Sequence, residues 1–217
     1  MKKDITLPKS ISSRIEFKRK FSLREMYLAV VFAPRAMLKL IGNKKSALVD
    51  KNFVKRLQLT VTEVSGCALC SYGHAKMALR QGMSSEEINS FLSEGGDNNF
   101  IKIEEAKAII FAQHFADSKG YPKKYAYDSI VEEYGKEKAQ IILSATQMMI
   151  MGNMYGIPLS AFLSRLKGKP YKDSTLFYEM KMQILGALFF PIAIIHGFIR
   201  GLIGLSNERF DKNTDDK

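Results

Sequence analysis

A chain of 217 residues accommodates one domain with extensions, and a hydrophobic content of 46% excludes a disordered tail. The formal charge of +11 is unevenly spread: residues 1–60 hold 15 Lys/Arg against 4 Asp/Glu, while the rest of the chain holds 18 of each. The basic excess is thus an N-terminal feature. It suits an anionic surface such as lipid headgroups or nucleic acid, and equally a solvated, solubilising arm.

The only two cysteines are Cys67 and Cys70. A secreted disulfide framework spaces its cysteines along the chain, so an isolated adjacent pair points to local redox chemistry in a reducing compartment. The first twenty residues are polar and basic with no apolar leader, which makes the cytoplasm the expected location.

In chain order, residues 1–13 read as an irregular start. From about Glu16 to Ile41 the apolar spacing is helical, and Pro34 is expected to end or kink the stretch into two short helices. Gly42-Asn43-Lys44-Lys45 reads as a turn. Asp50 is placed to cap a helix running toward Ser65, whose apolar face carries Phe53, Val54, Leu57, Val61 and Val64. Ser65-Gly66 breaks it and sets Cys67 at the start of a further helix that ends near Gly82. Ser84 and Glu87 form a capping-box pattern for the next, which ends near Gly95-Gly96. Helices follow over Glu104 to about Ser118, Tyr125 to Tyr134, and Lys136 to Asn153. No alternating strand pattern is visible, so the fold class is all-α.

The segment from Ile184 to Leu205 is long and apolar enough to cross a bilayer, although Pro191, His196, Arg200 and four glycines argue against a simple span. A helix buried in a subunit contact or lying on a membrane is the favoured reading. Positions 206–217 are polar and expected to fray.

Chemistry concentrates in Cys67-Ala-Leu-Cys70-Ser-Tyr-Gly-His74. A CxxC at a helix start places both sulfurs near free backbone N–H groups, where the helix dipole favours a thiolate. Three-residue spacing lets the sulfurs close a disulfide, and His74 falls one turn beyond Cys70 on the same face, where it can take or hold a proton. Two alternatives stand beside the redox reading. Cys67, Cys70 and His74, with Glu63 or solvent, can be counted as zinc ligands, and the pair can be purely structural. His114 reads as a satisfied helix histidine, Tyr72 as packing more than pocket lining, and Met148 to Met151 as adaptable core. Asn153 is read either as a bond to backbone near the site or as a helix end.

The Cys-x-x-Cys-x-x-x-His run, preceded by a helix ending in Ser-Gly and followed by AKMALRQGMSSEEI, resembles the alkylhydroperoxidase D/carboxymuconolactone decarboxylase superfamily. The likeness runs from about Val49 to Leu166. It implies a helical bundle with extra N- and C-terminal helices: a basic extension over 1–45, a catalytic domain over 46–170, and a hydrophobic helical extension with a polar tail over 171–217. It implies a homo-oligomer that reduces hydroperoxides without a cofactor or metal and is regenerated by an external dithiol. Cys70 would be the attacking thiol, Cys67 the resolving thiol, and His74 part of the proton relay. No nucleic-acid partner is expected, and residues 184–205 leave membrane association open. A membrane-held redox sensor without turnover is the alternative function.

Two positions depart from the family pattern. Where better-studied members have a Glu twelve residues before the first Cys, this chain has Lys55, and Leu69 stands where a His can precede the second. Glu63 is the candidate replacement carboxylate, against the reading of an ordinary surface glutamate. The CxxC itself argues against lactone decarboxylation.

Overall fold

The computed structural model describes residues 17–93 and 98–211. Among them the chain is all-α, with seven helices and no strand. They are α1 (Leu23–Ser46), α2 (Lys51–Ser65), α3 (Ala68–Arg80), α4 (Ser85–Leu92), α5 (Ala106–Asp117), α6 (Lys124–Leu166) and α7 (Leu176–Leu202), with short 3-10 turns at Asn98–Phe100 and Ile103–Glu105. The central helix α6 touches α1, α2, α3, α5 and α7, so it forms the shared wall of the whole body.

The caps follow the sequence. Asp50 accepts from the N–H groups of Asn52 and Phe53, and Ser84 accepts from Glu87 N. The reciprocal half of the expected capping box is diverted, because the Glu87 carboxylate takes Arg56 Nη1 at 2.7 Å. Gly66, in the left-handed region at φ 76°, closes α2 one residue before Cys67 caps α3. Gly135, with φ 76° and ψ 157°, kinks α6 between the two helices expected on either side of it. The expected end near Gly95-Gly96 lies outside the described residues.

Three breaker signals are overridden. α1 runs unbroken through Pro34, and the expected pair of short helices is one helix of 24 residues. Val30, Val31, Ala33, Pro34 and Ala36 are all buried there, and tertiary packing of this kind outweighs the one backbone bond a proline deletes. The predicted turn at 42–45 is likewise helical. Asn43 is buried and clasps the chain beyond the helix: its Nδ2 donates to Val49 O at 2.8 Å and its Oδ1 accepts from Val49 N at 3.0 Å. At the other end of the core, α6 continues past Asn153 and through Pro158 to Leu166, burying Met154, Gly156, Ile157 and Ala161.

The segment after α7 is docked through residue 211, not frayed. Gln147 Nε2 donates to Asn207 O at 2.7 Å, Asn207 Nδ2 to Phe32 O at 3.1 Å, and Asp211 N to Pro122 O at 3.0 Å. Phe210 lies against the Tyr127 ring, 5.5 Å between centroids. Residues 212–217 lie outside the described part.

Candidate redox site

Cys67 is the N-cap of α3. Its Sγ accepts from Cys70 N at 3.2 Å, so one of the free N–H groups of the first turn is aimed at sulfur. Cys67 and Cys70 are joined in a disulfide with their Cα atoms 5.2 Å apart. The two sulfurs are not equivalent. Cys67 is fully buried, whereas Cys70 is half-buried, flanked by the exposed side chains of Leu69 and Tyr72. A thiol approaching from solvent therefore meets Cys70 first. Tyr72 stands at the surface with Lys76 Nζ 5.9 Å from its ring centroid, which corrects its reading as a packed aromatic.

The wall behind the disulfide is bare helix backbone. A Cβ built on Gly156 of α6 would sit 2.5 Å from Cys70 Sγ and 2.6 Å from Cys67 Sγ, closer than any real side chain tolerates. Cys70 Sγ lies 3.8 Å from Gly152 O, one turn earlier. Next along the same helix, Ser160 Oγ accepts from Leu69 N at 3.3 Å, capping another free N–H at the start of α3. Sequence reasoning missed Gly152, Gly156 and Ser160. The i, i+4, i+8 spacing of three small residues on one helix was the available signal.

His74 lies one turn beyond Cys70 and is held from α2. Lys55 Nζ sits 3.3 Å from His74 Nδ1 and donates to Gln58 Oε1 at 2.8 Å. Burial pushes the Lys55 ammonium down to about 8. Burial first, then the Lys55 charge, pushes His74 down to about 4. The histidine is thus neutral near neutrality, with Nδ1 accepting from a cation. The position where the family pattern has a carboxylate is therefore in the site and carries the opposite charge.

Glu63, on the last turn of α2, forms an ion pair with Lys18 at 2.5 Å. Asn153 is fully buried, and its Nδ2 donates to Val61 O at 3.3 Å, tying α6 to α2 beside the CxxC, while the helix continues past it. Asn153 Oδ1, Thr62 Oγ1 and Ser65 Oγ are buried without a hydrogen-bond partner on the two helices that flank Cys67. His114 is satisfied as expected, accepting from Lys123 N at 3.0 Å, and His196 Nδ1 meets Tyr27 Oη at 3.1 Å. Among the described residues no group of three or more His, Cys, Asp or Glu side chains is arranged to hold a metal ion.

Chemically, the arrangement can take up and release two electrons at one disulfide, with a buried cation and a neutral imidazole as the local proton-handling groups. Comparison with known protein families, with characterised proteins and with solved structures returns no match to this chain.

Proposed function

We propose that this protein is a thiol-dependent hydroperoxide reductase of the alkylhydroperoxidase D type. The observation that carries the reading is a disulfide between the N-cap and third residue of α3, with its more accessible sulfur followed one turn later by a histidine bonded to a buried lysine. In the reduced protein, the Cys70 thiolate attacks the terminal oxygen of ROOH. The O–O bond breaks, a sulfenic acid forms on Cys70, and the departing alkoxide takes a proton from the Lys55–His74 pair. Cys67 then attacks the sulfenic sulfur, closing the disulfide and releasing water. An external dithiol returns two electrons and two protons by exchange at the half-exposed Cys70 sulfur. Burial of Cys67 supports its role as the resolving thiol, since it reaches Cys70 but is screened from bulk oxidant.

The test is stopped-flow consumption of an organic hydroperoxide with a dithiol donor, comparing the native chain with Cys70→Ser and Cys67→Ser. Multiple turnovers in the native chain are expected, with none for Cys70→Ser. Cys67→Ser is expected to stop at a sulfenate on Cys70, which a dimedone-type trap and mass spectrometry locate. Equal rates for native and Cys70→Ser chains would remove the enzymatic reading. One equivalent of peroxide consumed without dithiol turnover would make the protein a redox sensor instead.

A further inference from the structure

Helix α7 is amphipathic in the wrong sense for a helix facing water. Its inner face buries Glu179, Met182, Gly186, Ala193 and Gly197 against the body. Its outer face presents large apolar side chains: Leu188 is 65% exposed, Ile192 61% and Ile195 59%, with Ile184 before them and Leu202 beyond. Between Lys181 and Arg200 there is no Asp, Glu, Lys or Arg, a stretch of about 27 Å at helical rise. A helix at the surface of a soluble domain carries its charges on that outer face. A continuous apolar surface of this kind marks an interaction site.

The charges at the margins say what covers it. The only carboxylate on α7, Glu179, is fully buried and held by Arg165 at 2.8 and 2.9 Å. Lys181 is exposed at one end of the apolar stretch. At the other end Arg200 lies near Arg35, and neither forms an ion pair among the described residues; they donate only to the carbonyls of Ser206 and Leu205. Arg35 Nε and Nη2 and Arg200 Nε are buried without a hydrogen-bond partner, so Arg35 contributes its charge from within the α1–α7 seam. A pocket of about 410 Å³ beside them is lined by Arg35, Lys39 and Lys136, with Glu208 as its one carboxylate. A second copy of the chain packed through the same helix is a poor fit for this face. Packed antiparallel, α7 would set Lys181 against the copy's arginine, and packed parallel it would set each cation on its own kind, with no exposed carboxylate on the helix to answer either.

Nor is α7 free to cross a bilayer alone. Tyr155 Oη donates to Gly186 O at 3.0 Å, Gln183 Nε2 donates to Tyr155 O at 3.1 Å, and Gly197 brings the helix against the backbone of α1. We propose that the outer face of α7 lies in the interface of an anionic bilayer, with residues 184–199 among the acyl chains and Lys181 and Arg200 at the headgroup phosphates. The protein docks on the membrane without spanning it. The proposal is independent of the peroxidase reading, because it uses no residue of the redox centre. The two are nevertheless neighbours: Tyr155 binds α7 and the next residue, Gly156, backs the disulfide.

The full chain is tested by flotation with vesicles of phosphatidylcholine alone and of phosphatidylcholine mixed with phosphatidylglycerol. Flotation with the anionic vesicles, weakened by salt and much reduced with neutral ones, is expected. Lys181→Gln and Arg200→Gln should each weaken binding roughly fivefold. Ile192→Glu with Ile195→Glu alters only exposed positions, so helicity by circular dichroism should persist while flotation is lost. The chain has no tryptophan, so Leu188→Trp is a clean reporter. Its emission should shift to the blue and be quenched by lipids brominated on the acyl chains, whereas Ile103→Trp, on a remote exposed turn, should not respond. Three results would overturn the proposal: no flotation with either vesicle; a soluble dimer by sedimentation that the double Glu variant dissociates; or resistance to alkaline carbonate extraction, the behaviour of a true span.

Discussion

Lys55 Nζ and His74 Nδ1 are 3.3 Å apart across the α2–α3 contact. An ammonium only donates, so Nδ1 accepts and the ring proton sits on Nε2. NMR of the oxidised protein should find this tautomer and a His74 midpoint near 4. In Lys55→Met the midpoint should rise yet stay below 6.5, because burial is the larger cause and persists. A native midpoint at the ordinary histidine value would show that the ring is neither buried nor beside the Lys55 ammonium in solution.

Stability should follow these two groups with a definite sign. Both have folded values below their unfolded ones, so the unfolded chain binds more protons in each window. For His74 the stabilisation is complete above about 6.5 and is lost as pH falls toward about 4. Urea unfolding at pH 7 and 4.5 should therefore show the native chain losing roughly 1–3 kcal/mol more than His74→Gln. For Lys55 the corresponding gain comes as pH rises from about 8 to 10.5, and Lys55→Met should abolish that alkaline rise.

If Lys55 supplies the proton for the departing alkoxide, Lys55→Met should fold at least as well as the native chain and react about 10²-fold more slowly with hydroperoxide. Unchanged single-turnover rates would reduce Lys55 to a buried structural cation.

Gly156→Ala sets two effects against each other. Alanine gains about 1 kcal/mol of helix propensity, but its Cβ meets both sulfurs, and overpacking of this kind costs about 1–3 kcal/mol. The oxidised variant should unfold at lower urea than native. A gain in stability would mean that α6 gives way easily behind the disulfide.

Arg56 is buried and forked onto Glu105 at 2.6 Å through both Nε and Nη2, with Nη1 on Glu87. Arg56→Met leaves two carboxylates without their cation and should cost about 3–5 kcal/mol. Replacing Glu105 by Gln in the same background should recover part of that loss, as chemical denaturation would record.

What could be read from the chain was local. Asp50 and Ser84 are caps because each satisfies N–H groups within three residues, and Gly135 breaks α6 because its φ lies in the left-handed region. What could not be read depends on distant partners. Pro34 is held in α1 by burial against other helices, Asn43 by Val49 beyond the helix end, and residues 206–211 by side chains more than fifty positions away. The Cys67–Cys70 disulfide was legible from spacing alone. Lys55 was visible only as a missing carboxylate, since nothing in its spacing announces that a 15-residue helix and a glycine turn carry it beside His74.

The seam between α1 and α7 is built from absent side chains. A Cβ on Gly197 would fall 2.3 Å from Val31 O, one on Gly186 2.9 Å from Met26 Sδ, and one on Gly201 3.1 Å from Arg35 Cδ. Such a joint owes its strength to close van der Waals fit, not to expelling water from leucines. Its grip is accordingly indifferent to whether the medium outside is aqueous or oily, so α7 can keep its place on the body while its far side is immersed in hydrocarbon.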